Sequence, residues 1–182
     1  GNILQMYFSC FDKPNPSSID IQKLFDAFDE LLDKNLVFVK IWSDNTKKIV
    51  HNIYGDHATS MVSKKDLEER WLTLTTEQRE EGRENHNKGL TFYYLSHTDP
   101  DTKENKFFQV NIYPNGNIIV RFSFSDTMKM QKDEMNKIIN KLRTLLLRMV
   151  KKVNYAITSN PLLKHHITIP NGIPYDDIGS NL

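Results

Sequence analysis

The sequence is poor in cysteine, since Cys10 is the only one among its 182 residues. No disulfide can form within the chain, which is typical of proteins in the reducing interior of a cell. No apolar run approaches the roughly 20 residues that cross a bilayer. The start of the chain lacks an initiator Met and the basic segment of a signal peptide, and Gly1 is typical of a cloning scar on an excised fragment. We therefore expect a soluble, intracellular domain of a larger protein, with no membrane partner.

Catalytic and cofactor motifs are also missing. The seven glycines are scattered and form no phosphate-binding loop, and there is no GxSxG elbow. Cys10 has no neighbouring histidine, which favours a buried thiol over a nucleophile. The six histidines lack the HExxH spacing of a zinc site. We expect a protein that is not an enzyme, with no catalytic residue, metal, cofactor or small-molecule substrate. An enzyme with a site assembled from distant residues is the alternative, and a deep pocket with converging polar groups would identify it.

Charge of one sign is not in excess, because the chain has 24 basic and 23 acidic residues and a net charge of +1. No global attraction to nucleic acid or to a membrane follows from this balance. Any binding of nucleic acid must come from the local arrangement of side chains.

The first half of the chain contains an N-terminal arm, a helix and two strands. Residues 1–16 form an arm or short strand that ends at a proline-rich turn. Ser17 or Ser18 can cap an amphipathic helix from about Ile19 to Asp33. Strands are predicted from Leu36 to Trp42 and from Ile49 to Tyr54. In the first of these strands the alternation places Val37, Val39 and Ile41 on one face and Phe38, Lys40 and Trp42 on the other.

Two capping-box patterns follow, Ser63 with Asp66 and Thr75 with Gln78, and they predict two short helices. The charged stretch 77–89 is predicted to be a solvated loop or a frayed helix. From residue 156 onward the chain is polar and punctuated by proline. We interpret 156–182 as an extended tail or linker to a following domain, and 17–155 as a single α+β domain.

The second half has the clearest pattern. Strands are predicted at Leu90 to Leu95, Phe107 to Tyr113 and Asn117 to Phe124, and a polar loop at His97 to Asn105. Pro114-Asn115-Gly116 indicates a hairpin, since Asn-Gly tolerates positive φ. One amphipathic helix is predicted from about Thr127 to Val153. Together these elements predict an antiparallel sheet with one face covered by the long C-terminal helix and the N-terminal helix.

The uncovered face of this sheet is the candidate binding site. It is predicted to mix aromatic, amide and basic side chains, which can stack on, wedge between or hydrogen-bond to bases. An ordinary solvated face is the alternative, because antiparallel sheets commonly keep one side wet. The candidate DNA-binding residues are Phe38, Lys40, Trp42, Asn111, Tyr113, Asn117 and Arg121.

A basic stripe on the long helix is the second candidate surface. Lys137, Lys141, Arg148 and Lys152 fall within about 60° of one another at roughly 100° per residue. The favoured interpretation is a solvent face whose cations suit a helix C-terminus. The alternative is a contact for an acidic protein partner or for DNA phosphate.

The order of helix, strands, hairpin and long helix resembles one half of the TATA-binding-protein fold. Three stretches, Lys88 to Phe92, Phe108 to Ile118 and the Met135 to Val153 helix, are similar to a region of the early transcription factor large subunit of large cytoplasmic DNA viruses. The resemblance covers roughly 36–155. It implies a promoter-recognition module that helps to recruit the viral RNA polymerase, with any ATPase chemistry in a partner subunit. It also implies a location in the viral factory of the host cytoplasm and in the virion.

TATA-binding proteins have two similar halves that form a saddle, and only one half is identifiable in this sequence. We expect a non-catalytic module that binds double-stranded, AT-rich promoter DNA, with another transcription factor subunit or the polymerase as its protein partner. A protein-interaction domain without DNA binding is the second hypothesis.

Overall fold

The computed structural model describes residues 2–10, 18–28, 34–43, 48–54, 77 and 89–156. Within this part of the chain, six strands form one antiparallel sheet, which confirms the predicted α+β class. The strand order across the sheet is β1-β6-β5-β4-β2-β3. In chain order the elements are β1 (Asn2–Ser9), α1 (Ile21–Asp26), β2 (Leu36–Ser43), β3 (Lys48–Ile53), β4 (Leu90–Thr98), β5 (Asn105–Ile112), β6 (Asn117–Phe124), α2 (Asp126–Met130) and α3 (Lys132–Tyr155).

Alternating apolar residues of the strands build the core on one side of the sheet. Phe108, Val110 and Ile112 of β5 are fully buried, as the alternation predicts. They share one hydrophobic cluster with the apolar stripe of α3, including Met135, Leu142 and Met149. None of the helices in the described ranges is both long and apolar enough to cross a membrane.

The hairpin between β5 and β6 forms as predicted. Gly116 has a φ of 87°, a conformation that glycine adopts without steric cost. Its amide donates to the Tyr113 carbonyl at 2.9 Å and closes the turn. The turn also anchors the N-terminal region, because its carbonyls accept from the amides of Cys10 and Ile19.

The N-terminal segment, which was predicted to be either an arm or a short strand, contains the strand β1. It pairs with β6 along its whole length, from Asn2 opposite Phe124 to Ser9 opposite Asn117. The helix that follows begins later than predicted. Asp20, and neither Ser17 nor Ser18, is the N-cap of α1, since its side chain accepts from the Lys23 amide at 3.0 Å.

The single C-terminal helix predicted from Thr127 to Val153 is in fact two helices. Ser125 caps α2 by accepting from the Met128 amide at 3.1 Å. The helix ends at Met130, and the C-cap residue Gln131 has a non-helical ψ of 85°. The carbonyl of Gln131 accepts from Met135 and opens α3. No proline or glycine marks this break. Two acidic residues in the first turn of α3 suit a new helix start.

A β-bulge corrects the face assignment of β2. The register with β4 shifts between Leu36 and Phe38. Val37 therefore packs with Phe38 on the side away from the core, and Leu36 takes the core position instead. Farther along, β4 extends through His97, which was expected to open a loop.

Several predictions fall on other parts of the chain. The first predicted helix was expected to run to Asp33, but α1 ends at Asp26, with Ala27 as its C-cap. Residues 29–33, the two capping boxes and the tail after residue 156 lie outside the described residues. The domain boundaries stay predictions.

Candidate functional site

The side of the sheet away from the core, here called the second face, carries the predicted site. Cross-strand pairing aligns Gln5, Arg121, Gln109, Tyr93 and Phe38 in one row. A parallel row contains Tyr7, Ile119, Asn111, Thr91 and Lys40. The face therefore has an inner part on β2 and β4 and an outer part on β5, β6 and β1.

The inner part is mostly buried, with Lys40 and Tyr93 half-buried. Phe38 and Trp42 are each 8% exposed, so the expectation of exposed aromatic groups there is wrong for these two residues. Phe38 packs on Tyr93 with ring centroids 5.7 Å apart, in a small cluster with Val37. Burial lowers the pKa of Lys40, because a charged ammonium loses its hydration there.

The outer part is open. Arg121 is exposed, and its Nε donates to Gln5 Oε1 at 2.8 Å. Asn111 is half-buried, and its Oδ1 accepts from the Thr91 hydroxyl at 2.7 Å. This bond commits the amide oxygen and leaves the NH2 group as the donor of the side chain.

The remaining two predicted residues flank the hairpin turn. Tyr113 follows β5, and its ring lies so close to Gly89 that a Cβ there would be 3.1 Å from the ring. Asn117 is exposed at the start of β6, where its backbone amide donates to Asn115 Oδ1 at 3.0 Å. The structure thus brings Asn111 and Arg121 onto the open part of the face and separates them from Phe38, Lys40 and Trp42.

Carboxylates are missing from the six described strands. The chain has 23 acidic residues, and none lies in one of these six strands. The strands do carry cations, including Lys40 and Arg121. The second face therefore presents no strand carboxylate that would repel a polyanion.

The predicted basic stripe divides into different environments. Lys137 is exposed and pairs with Glu134 at 3.0 Å, an exposed i,i+3 pair that contributes little to stability. Lys141 is half-buried, with its Nζ 5.6 Å from the centroid of the Tyr94 ring. Arg148 is exposed and Lys152 half-buried. The four cations do not form one uniform solvent face.

A polar cluster at the end of β4 was not found from the sequence. Ser96 Oγ and His97 Nδ1 are 2.7 Å apart, and His97 Nε2 is buried with no hydrogen-bond partner among the described residues. Burial lowers the pKa of His97; Asp99 opposes this, and Lys106 and Lys141 add to it. The only sequence signal for this cluster was the order Ser-His-x-Asp, which contains the residue types of a catalytic Ser-His-Asp set.

The carboxylate of Asp99 stabilises the loop between β4 and β5. Its Oδ1 accepts from the amides of Asp101 and Thr102 at 2.8 and 2.9 Å, and these bonds hold its pKa below the usual range. The aspartate thus closes the β4–β5 turn.

Cys10 is buried, as the sequence suggested, and burial raises its pKa to about 12, so the reactive thiolate is not populated near neutral pH. No group of metal-binding residues is found within the described ranges.

No protein-family model, no curated protein and no solved structure matches the chain.

Proposed function

We propose that the chain is a non-catalytic module that binds AT-rich duplex DNA with the outer part of the second face. The observation that supports this proposal is the absence of carboxylates from the six strands that the structure describes, together with an exposed guanidinium and amide groups on the outer part. Arg121 supplies a phosphate or minor-groove contact in this arrangement.

Asn111 supplies the second element of recognition. Because its oxygen accepts from Thr91, its NH2 group is the donor presented to a ligand. The minor groove of an A·T pair offers only acceptors, N3 of adenine and O2 of thymine, and suits such a donor. Tyr113 and Asn117 extend the contact toward the hairpin turn. Phe38 and Trp42, which are buried, and Lys40, which is half-buried, support the face from its inner part.

The same proposal includes the biological setting that the resemblance implies. The chain would act as one TATA-binding-protein-like half in an early transcription factor of a large cytoplasmic DNA virus, with another factor subunit or the viral RNA polymerase as its partner. The shared core of α3 and the sheet supports this helix-on-sheet arrangement. A single half cannot bend DNA as a full saddle does, so modest affinity is expected.

Titration of fluorescent AT-rich and GC-rich duplexes at two salt concentrations tests the proposal. We expect salt-sensitive binding that is stronger on the AT-rich duplex. Arg121→Glu should weaken binding to both duplexes and reduce the salt slope by about 1. Asn111→Ala should reduce the preference for AT-rich DNA.

Lys137→Glu is the matched control, because it reverses an exposed charge on the helix side of the molecule. Unchanged affinity in the Arg121→Glu and Asn111→Ala variants would show that DNA does not meet this face. A loss confined to Lys137→Glu would move the DNA contact to α3.

A protein-interaction module is the second candidate. It is favoured by the exposure of Ile3 and Tyr7, which are 66% and 70% accessible on the outer part. In that case the chain would show no affinity for either duplex at low salt.

A further inference from the structure

The edge strand β1 lacks the usual protection against pairing. Its eight residues contain no charge, no proline and no glycine. Its register with β6 runs without a bulge, and no other described strand pairs with it. Natural edge strands are usually protected by lysine, proline, bulges or short length, because an open edge is a template for another strand.

The strand also exposes apolar side chains. Ile3 and Tyr7 are two of the four large hydrophobic residues exposed on the described surface. Leu4 and Phe8 are buried in the core, which fixes the alternate residues on the second face. Ile3 and Tyr7 lie two positions before and two positions after Gln5.

We propose that β1 pairs antiparallel with β1 of a second copy of this chain, with Gln5 opposite Gln5. In this register Ile3 of each copy lies opposite Tyr7 of the other. The symmetry therefore forms two identical aliphatic–aromatic pairs and covers both exposed side chains. The strand is complementary to itself, which identifies a second copy as the occupant of this edge.

Charge does not oppose the pairing. The nearest charged group in the same row is Arg121, one strand in from the edge. The two Arg121 side chains would be separated by three strand spacings, about 14 Å. This exceeds the Debye length of about 8 Å at physiological ionic strength, so their repulsion is largely screened.

Sedimentation of the full chain tests the surface and its register. Ile3→Lys and Tyr7→Glu should each weaken the dimer by at least about tenfold, since each places a charge opposite an apolar side chain. The double variant should regain the dimer, because the introduced ammonium and carboxylate lie opposite each other. Leu147→Lys, which changes another exposed hydrophobic residue on α3, should have no effect.

Circular dichroism establishes that each variant is folded. A wild-type chain that stays monomeric at about 100 µM, far above the dissociation constants of specific dimers, would overturn the proposal. So would a dimer that is unaffected by Ile3→Lys, or a double variant no better than either single one. A monomer would leave the edge to a strand of another protein.

A disulfide reports the register directly. Opposite residues on antiparallel strands have Cα atoms about 4.5–5.5 Å apart, which is within the range that a disulfide spans. Gln5→Cys should give a covalent dimer under mild oxidation, whereas the native Cys10 is buried. Gln109→Cys, two strands in from the edge, is the matched control and should stay monomeric. Failure of Gln5→Cys to cross-link, or equal cross-linking of Gln109→Cys, would contradict the pairing. Neither result depends on DNA binding.

Discussion

The inner and outer parts of the second face share one alternating pattern but differ in burial. Phe38 and Trp42 are nearly inaccessible, whereas Ile3 and Tyr7 are among the most exposed apolar residues. Phe38 is covered by Val37, Tyr93 and Phe107 on the same face, whereas β1 is bordered only by β6 among the described strands. An internal position alone does not bury a side chain, since Arg121 is exposed on β6, which lies between two strands. Similar side chains thus contribute to stability at an internal strand and remain available for contacts at an edge.

The largest contrast is expected from truncating one aromatic residue in each part. Phe38→Ala should lower the free energy of unfolding by about 3 kcal/mol, since it removes a buried ring from the cluster with Tyr93. Tyr7→Ala should change it by less than about 0.5 kcal/mol, as is usual for exposed positions. Urea denaturation measures both. Equal losses would mean that the two parts do not differ in energetic role.

A smaller effect is expected at the boundary between β4 and β5. A Cβ added to Gly89 would be 2.9 Å from the Ile112 carbonyl oxygen and 3.1 Å from the Tyr113 ring. Because backbone must move to relieve this contact, Gly89→Ala should cost about 1–3 kcal/mol. Gln5→Ala in the outer part is the control, and comparable urea midpoints for the two variants would contradict the prediction.

The smallest effect depends on pH and separates Lys40 from Arg121. Burial lowers the pKa of Lys40 in the folded state, so the unfolded chain binds more protons between that lowered pKa and the ordinary value of 10.5. The contribution of Lys40 to stability should therefore rise with pH across this window. Comparing wild type with Lys40→Met isolates it from the opposite contribution of Cys10, whose pKa burial raises to about 12. Lys40→Met should remove the rise and stabilise the protein at neutral pH, whereas Arg121→Met should leave the pH dependence unchanged. Chemical denaturation at about pH 7 and about pH 9.5 measures the difference.

Local patterns predicted the parts of the fold that depend on neighbouring residues. The Asn115-Gly116 turn formed because positive φ is required there, and the buried residues of β5 and α3 follow their periodicities. The break at Gln131 was missed because the apolar spacing continues across it. The bulge that turns Val37 to the second face was missed because it is defined by pairing with β4.

In the candidate site, too, local sequence predicted some features, and others depend on tertiary structure. The sequence identified the residue types on the second face, including Asn111 and Arg121. It could not assign exposure, since Phe38, Lys40 and Trp42 alternate with Val39 and Ile41 as they would in a half-solvated strand. The burial of Phe38 depends on Tyr93 and Phe107, which strand pairing brings from far away in the sequence. The contribution of β1 to the face was missed for the same reason.

The pairing of β1 with β6 has a consequence for synthesis. During synthesis the strand β1 finds its partner about a hundred residues later, since Ser9 pairs with Asn117. At roughly 5–20 residues per second, the uncharged strand waits for about 5–20 s before its partner has been made. Throughout this interval β6 has not yet been made, so the segment is available to pair with the same segment of nascent chains on neighbouring ribosomes.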